Sequence, residues 1–174
     1  MAKKQKKTSD SCVTMTELVL PNDTNTLNNL MGGRLMHWMD VVSAIAAQKH
    51  SNRIVVTASA DNISFNNPIQ LGDVVTLEAK VTRAFSSSME VYVEVFAENI
   101  PSGKKIKSHS AFFTFVAVDQ GGRPIDVPEL VPENEVEDEL YAGALRRRQL
   151  RLVLAKRMKP EDATELRSIF NLDK

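Results

Sequence analysis

Hydrophobic and polar positions alternate in several stretches of this chain, and one long segment breaks the alternation. The stretch "CVTMTELVL", residues 12–20, alternates loosely and stops at Pro21, a breaker that closes a first predicted strand. Beyond residue 53 come four longer runs: "IVVTASADNISF", "DVVTLEAKVTRAF", "MEVYVEVFAEN" and "IKSHSAFFTFVAVD". In the second of these, Val75, Leu77, Ala79 and Val81 share one face, while Thr76, Glu78, Lys80 and Thr82 share the other. In the third, Met89, Val91, Val93, Val95 and Ala97 stand opposite Glu90, Tyr92, Glu94, Phe96 and Glu98. The links "NPIQLGD", "SSS" and "PSGKK" are short and turn-like, as antiparallel neighbours require.

The exception is "RLMHWMDVVSAIAAQKH", which follows Gly32 and Gly33, has the length of a helix and contains neither Gly nor Pro. Steps of 100° put Leu35, Trp38, Met39, Val42 and Ala46 on one face, with Val41, Ala44 and Ile45 at its sides. A helix this apolar is expected to be wrapped by other structure. The predicted fold class is therefore α+β, an antiparallel sheet around one long central helix. After "RPIDVPELVP", the segment "ENEVEDELYAGALRRRQLRLVLAKRMK" starts acidic and ends basic, which suits the dipole of an additional C-terminal helix. A short further helix is expected from Pro160. The expected divisions are a solvated basic tail over 1–10, a globular domain over 11–132 and a helical extension over 133–174.

Composition narrows the partners. With 174 residues the chain suits one compact core, and 43% hydrophobic with 25% charged residues is an ordinary globular balance. Lys plus Arg and Asp plus Glu both number 22, so no global field favours nucleic acid or an anionic membrane. Cys12 is the only cysteine, and no His or Cys spacing resembles a zinc site. The expectation is no metal, no membrane partner, no nucleic acid and a reducing, cytoplasmic address. No apolar run of the length a signal peptide core or a membrane span requires follows the basic N-terminus "MAKKQKKTSD".

Asp40 is the first candidate for chemistry, because within "WMDVVSAIAA" only Asp40 and Ser43 are polar. An unpaired buried carboxylate is costly. Either Asp40 is a structural acid, bonded to a hydroxyl or placed on a solvent-facing stripe with His37 and Ser43, or it is a general base or nucleophile in a cleft. Gly32 and Gly33 serve the geometry of the turn into the helix, or let a substrate carbonyl approach free N–H groups at the helix N-terminus. At 1.5 Å per residue, Asp40 lies about 10 Å along the axis from Gly33. That is too far for one small reacting group to span within one chain, so a site shared by two chains fits better. His37 reads as a surface or contact histidine and His109 as a satisfied strand residue. No "GxSxG" elbow is present.

The segments "DTNTLNNLMGGRLMHWMD", "VVTASADNISFNNPIQLGDVV", "SSSMEVYVEVFAE" and "SAFFTFVAVDQGGRPIDVPELVPE" together resemble the hotdog-fold acyl-CoA thioesterases, the group containing the cytosolic acyl-CoA hydrolases and their short bacterial relatives. The resemblance runs from about Asp23 to Glu133, in the expected order. It implies a hotdog fold and hydrolysis of acyl-CoA to a free fatty acid and coenzyme A, with no cofactor beyond the coenzyme A that is part of substrate and product. It implies catalytic roles for Asp40, seven residues after the second glycine, and for Asn29, three residues before the pair. Gly33 takes the oxyanion position. Gly32 and the serines of "SSSME", Ser87 and Ser88, become candidate substrate contacts. Met31 stands where some relatives carry a histidine, which puts a carbonyl-polarising role at that position in question. The resemblance further implies a homo-oligomer: a dimer with sites built across its interface, assembled as a trimer of dimers. The arginines of "RRRQLRLVLAKR" are either an ordinary cationic helix end or a grip on coenzyme A phosphates. The alternative function is a non-catalytic acyl-CoA-binding or sensing module on the same fold. Binding alone would not require the set Asn29, Gly33 and Asp40.

Overall fold

A computed structural model of the protein describes residues 4–61, 63 and 67–169. Its central element is α1 (Gly32–Ser51), whose buried positions Leu35, Trp38, Met39, Val42, Ser43, Ala46, Ala47 and His50 recur at the three- and four-residue spacing of a single helical face. The helix follows an extended Met31 and ends on Asn52 in the left-handed region (φ 53°), whose N–H donates to the Gln48 carbonyl at 2.7 Å. Asparagine tolerates this conformation better than most side chains, which makes it a fitting stop.

Five strands form the sheet: β2 (Val13–Leu18), β3 (Ile54–Asp61), β4 (Val74–Ala84), β5 (Ser88–Asn99) and β6 (Lys104–Val118). Their order is β2-β4-β5-β6-β3, and every neighbouring pair is antiparallel. The alternation read from the sequence decides which face meets α1. Val75, Leu77 and Val81 on β4, Val91, Val93 and Val95 on β5, and Phe113 and Phe115 on β6 are all buried, as are Met39, Val42 and Ala46 on α1. β3 follows α1 directly and crosses to the far edge, where it pairs with β6. Among the described residues no strand pairs with its other edge, and Ile54 and Val56 on β3 are 61% and 49% exposed. The pairing of β3 with β6 slips by one residue between Thr57 and Ser59, a β-bulge.

The basic head departs from expectation. Residues 5–10, read as part of a solvated tail, form β1 (Gln5–Lys7) and, together with Ser11, a 3-10 turn over Thr8–Ser11. β1 pairs in parallel with β7 (Glu129–Val131), and the Ser11 hydroxyl, fully buried, accepts the Val81 N–H at 3.0 Å. A long-range backbone partner thus outweighs the solubility of a lysine-rich segment. Residues 1–3 of that tail, and positions 62, 64 and 65 at the end of the predicted strand "IVVTASADNISF", lie outside the described residues.

The chain divides into compact units Met1–Val131 and Pro132–Lys174. The second contains α2 (Glu135–Leu154), whose Asn134 cap accepts the Glu137 N–H at 3.0 Å, and α3 (Thr164–Ile169). The Gln149 side chain of α2 accepts the Leu166 N–H at 2.9 Å and ties the two helices together. Among the described residues, no helix is long and apolar enough to cross a membrane.

Candidate active site

Asp40 lies two turns into α1, half-buried, and its Oδ1 accepts a hydrogen bond from the Thr57 hydroxyl at 2.8 Å. Thr57 is in register with Phe115 on the layer facing α1, and it sits immediately before the bulge in β3. A bulge re-aims the side chain beside it, and here that side chain meets the carboxylate. No other described residue donates to Asp40. The carboxylate is therefore oriented by one hydroxyl and keeps acceptor capacity for a proton or an incoming water.

Seven helical steps return to within about 20° of the starting direction, so Gly33 and Asp40 lie on one stripe of α1. Met36 and His37, between them, are both exposed. A Cβ added at Gly33 would meet nothing within 4 Å, and its φ is not in the positive range. Neither local packing nor backbone strain demands glycine there.

The loop before α1 is held tightly by its own polar groups. The Asn25 Oδ1 accepts the N–H of Leu27 at 2.9 Å and of Asn29 at 3.2 Å, while the Asn25 N–H donates to the Asn29 carbonyl at 2.8 Å. The Leu30 N–H donates to Ile69 and the Leu71 N–H to Asn28, fastening this loop to the segment before β4. Asp23, 6% exposed, accepts the Leu20 N–H and is paired with Arg34 at 2.7 Å. The Arg34 and Leu35 N–H groups both donate to Met31, whereas no described residue accepts from the N–H of Gly32 or Gly33. These are first-turn donors carrying the positive end of the helix dipole.

Beside them a cavity of about 330 Å³ is lined by Asn25, Asn29, Gly32, Leu35, Asn67 and His109, among others. His109 is buried on β6 with the Ser108 hydroxyl 2.6 Å from its Nδ1, and burial pushes its imidazole below the ordinary histidine value, favouring the neutral form. Among the described residues no group of three or more His, Cys, Asp and Glu side chains is placed to hold a metal ion.

The structure thus brings Asn29 and Gly32 together at one cavity, adds Asn25 to them, and leaves Asp40 outside it with Thr57. It does not bring Ser87 or Ser88 to Asp40 within the chain. Ser88 is in register with Val116 and, through it, Val56, on the sheet face that alternates away from Met89 and α1. His37 is exposed, while His109, read as an ordinary strand residue, lines the cavity. Thr57 and Asn25 escaped the sequence reading. The signal for Thr57 is a hydroxyl followed by an irregular "TASA" where alternation fails; for Asn25 it is an asparagine two residues after an acid in a loop rich in asparagine.

Residues 27–104 match the thioesterase superfamily. The chain is 44% identical over 138 residues to the uncharacterized acyl-CoA thioester hydrolase YkhA of Bacillus subtilis, covering 79% of this chain and 80% of that one. It is 39% identical to acyl-coenzyme A thioesterase 11 of Mus musculus over 84% of its own length, but spans 25% of that longer protein. A hexameric acyl-CoA thioesterase crystallised in its apo form superposes with a TM-score of 0.85 at 39% identity, covering 87% of this chain and 97% of that one. The acyl-CoA hydrolase of Staphylococcus aureus in complex with butyryl coenzyme A, coenzyme A and coenzyme A disulfide superposes at 0.80 with 35% identity, covering 98% and 99%. Variants of that hydrolase replace an aspartate, an asparagine or a threonine by alanine, and the asparagine stands 15 positions before the aspartate and the threonine 17 after it. The same spacing here separates Asn25, Asp40 and Thr57.

Proposed function

Because the chain belongs to the thioesterase superfamily and has its hotdog fold, we propose that it is an acyl-CoA thioesterase, hydrolysing acyl-CoA to a free acid and coenzyme A. The observation that carries this reading is Asp40 held by Thr57 on the stripe of α1 that also bears Gly33. Water adds to the thioester carbon, its proton passing to Asp40, and the carbonyl oxygen becomes an oxyanion at the Gly33 N–H; collapse breaks the C–S bond and the thiolate leaves. If Asp40 instead attacks the carbon itself, an anhydride forms and water then cleaves it. Single turnover in oxygen-18 water tests for the covalent route, since only that route can leave label in Asp40, when water attacks the aspartyl carbon of the anhydride.

Asp40 and Gly33 of one chain are too far apart for a single thioester, so the site is completed by a second copy. Support comes from the open edge of β3, with its exposed Ile54 and Val56, and from the exposed stripe of α1 around Met36. Pairing two β3 edges antiparallel sets two α1 helices side by side, and a two-fold axis near Met36 and His37 brings Asp40 of one level with Gly33 of the other. Asn29 and Asn25 then hold the carbonyl or the water from the loop of that second chain. Gly32 contributes a neighbouring N–H. Ser87 and Ser88, away from Asp40 in their own chain, are left to contact coenzyme A across the assembly, which we take to be a trimer of dimers in keeping with the hexameric relative.

The reading needs no cofactor, metal, nucleic acid or membrane. A cytoplasmic address suits the only cysteine, exposed Cys12. Thiol release from an acyl-CoA panel tests the assignment: turnover by the wild-type protein supports it, whereas tight binding without thiol release favours the binding module.

A further inference from the structure

Charge is sharply divided along α2 and the turn that follows it. Residues 133–139 hold five acids and no base, and residues 146–159 hold seven bases and no acid. The division suits the helix dipole, yet apolar side chains stand in the open between the charges. Val136 is 62% exposed, Leu150 42% and Leu154 75%. Val136 and Leu154 are about five full turns apart and point the same way, while Leu140 and Leu150 lie about 40° to either side of them. Between these pairs the Arg147 guanidinium lies against Gly143 and donates to the Leu140 carbonyl at 2.8 Å. A Cβ at Gly143 would stand 2.6 Å from that guanidinium, so the glycine lets Arg147 lie close to the helix. One side of α2 is therefore a stripe about 27 Å long, apolar at both ends and low in the middle.

Reversed end for end, the stripe repeats itself. We propose that α2 pairs antiparallel with α2 of another copy, and that this contact joins one dimer to the next. The inference rests on the dimer of the thioesterase reading and goes beyond it. About a two-fold axis level with residue 145, Val136 meets Leu154 of the other helix, Leu140 meets Leu150, and Gly143 meets Arg147. The same operation lays the acid end of each helix over the basic end of the other. Exposed Glu135, Asp138 and Glu139 then face the end that carries exposed Lys156, Arg157 and Lys159. A parallel pair would set acid against acid and base against base. An anionic lipid surface or a nucleic acid would attract one half of α2 and repel the other. A reversed copy satisfies the charges and the apolar side chains together.

A single helix pair is a small contact. Symmetry strengthens it. A chain with two self-complementary surfaces, the open β3 edge and α2, alternates them around a closed ring, and three dimers complete the ring of six chains. Each dimer is then held at both ends, so the contacts support one another through effective concentration.

The test weighs the protein by sedimentation velocity, a readout that does not depend on hydrolysis. The wild type is expected at the mass of six chains, and the double variant Leu150→Asp, Leu154→Asp at the mass of two. Its circular dichroism should be unchanged, because both side chains are exposed. Cysteine pairing checks the register in a protein that keeps the contact. In a Cys12→Ser background, Val136→Cys with Leu154→Cys should cross-link two chains under mild oxidation, and either cysteine alone should not. A folded Leu150→Asp, Leu154→Asp protein that remains a hexamer overturns the inference, as does cross-linking by Leu154→Cys alone. A wild-type dimer that floats with phosphatidylserine vesicles would assign the stripe to a lipid surface and overturn it too. Any wild-type dimer leaves the shared site standing, whereas a wild-type monomer that releases thiol from acyl-CoA removes the shared site along with this contact.

Discussion

The two ends of the functional stripe on α1 are built by opposite means. At the N-terminal end, Gly32 and Gly33 are set by a web of backbone and asparagine bonds, and the chemistry offered is that of the backbone itself. Two turns on, Asp40 is a side chain held by a side chain, Thr57, reached only because β3 bulges beside it. The first end is stiff and tolerant of side-chain change except where bulk intrudes; the second depends on single atoms. Mutations should therefore separate them.

The largest effect is expected at Asp40. Asp40→Ala should lower kcat by about a thousandfold and leave circular dichroism and oligomer size unchanged, because the carboxylate accepts only one described hydrogen bond. Wild-type-like turnover by the folded variant would remove Asp40 from the chemistry. At the other end, Gly33→Ala should fold normally, since the added Cβ meets nothing within its own chain. It should nonetheless lose at least about tenfold in kcat/KM, by crowding the approach to the helix N-terminus. A stable, fully active Gly33→Ala protein would mean that the space above it is not a substrate path. Thr57→Val comes next: removing the hydroxyl should cost about tenfold in kcat with little change in KM, and Thr57→Ser should restore most of it. Equal losses in both variants would point to packing rather than to the hydrogen bond.

The smallest expected effect concerns stability and lies away from both ends. His50, fully buried at the last turn of α1, has its Nε2 2.9 Å from the Pro128 carbonyl, and desolvation is the main cause holding its pKa below the ordinary 6.5; His109 is lowered for the same reason. Below pH 6.5 the unfolded chain takes up protons that the folded one refuses, so stability is full above that pH and falls as acid is added. The unfolding free energy from urea titration should drop between pH 7 and pH 5, by at most about 1.4 kcal/mol per pH unit for each histidine, with the midpoint falling in step, and His50→Gln should flatten the curve. A midpoint that rises on acidification would contradict the burial argument.

The same contrast explains how much was legible in the sequence. α1 and the long strands follow from periodicity, because buried faces impose it. Asp40 stood out as an acid in an apolar run, and the glycines as a break before a helix. Thr57 was hidden because a bulge cancels the alternation by which strand faces are read, and its partner lies 17 residues away on another element. Asn25 was hidden among like residues in a loop, where only the hydrogen bonds distinguish one asparagine from the next. The head of the chain was misread because its partner, β7, is remote in sequence and leaves no local mark.

The claim on which the rest depends is that each site takes Asp40 from one chain and the helix N-terminus from another. Subunit complementation tests it most directly. Asp40→Ala and Asn25→Ala proteins, each nearly inactive alone, are unfolded together, refolded as a mixture and assayed for thiol release. Random pairing makes half the dimers mixed, and each mixed dimer carries one site with both residues intact, so activity should return to about a quarter of the wild-type value. A mixture no more active than its two parents, at the same oligomer size, would show that the residues act within one chain and would contradict the shared site.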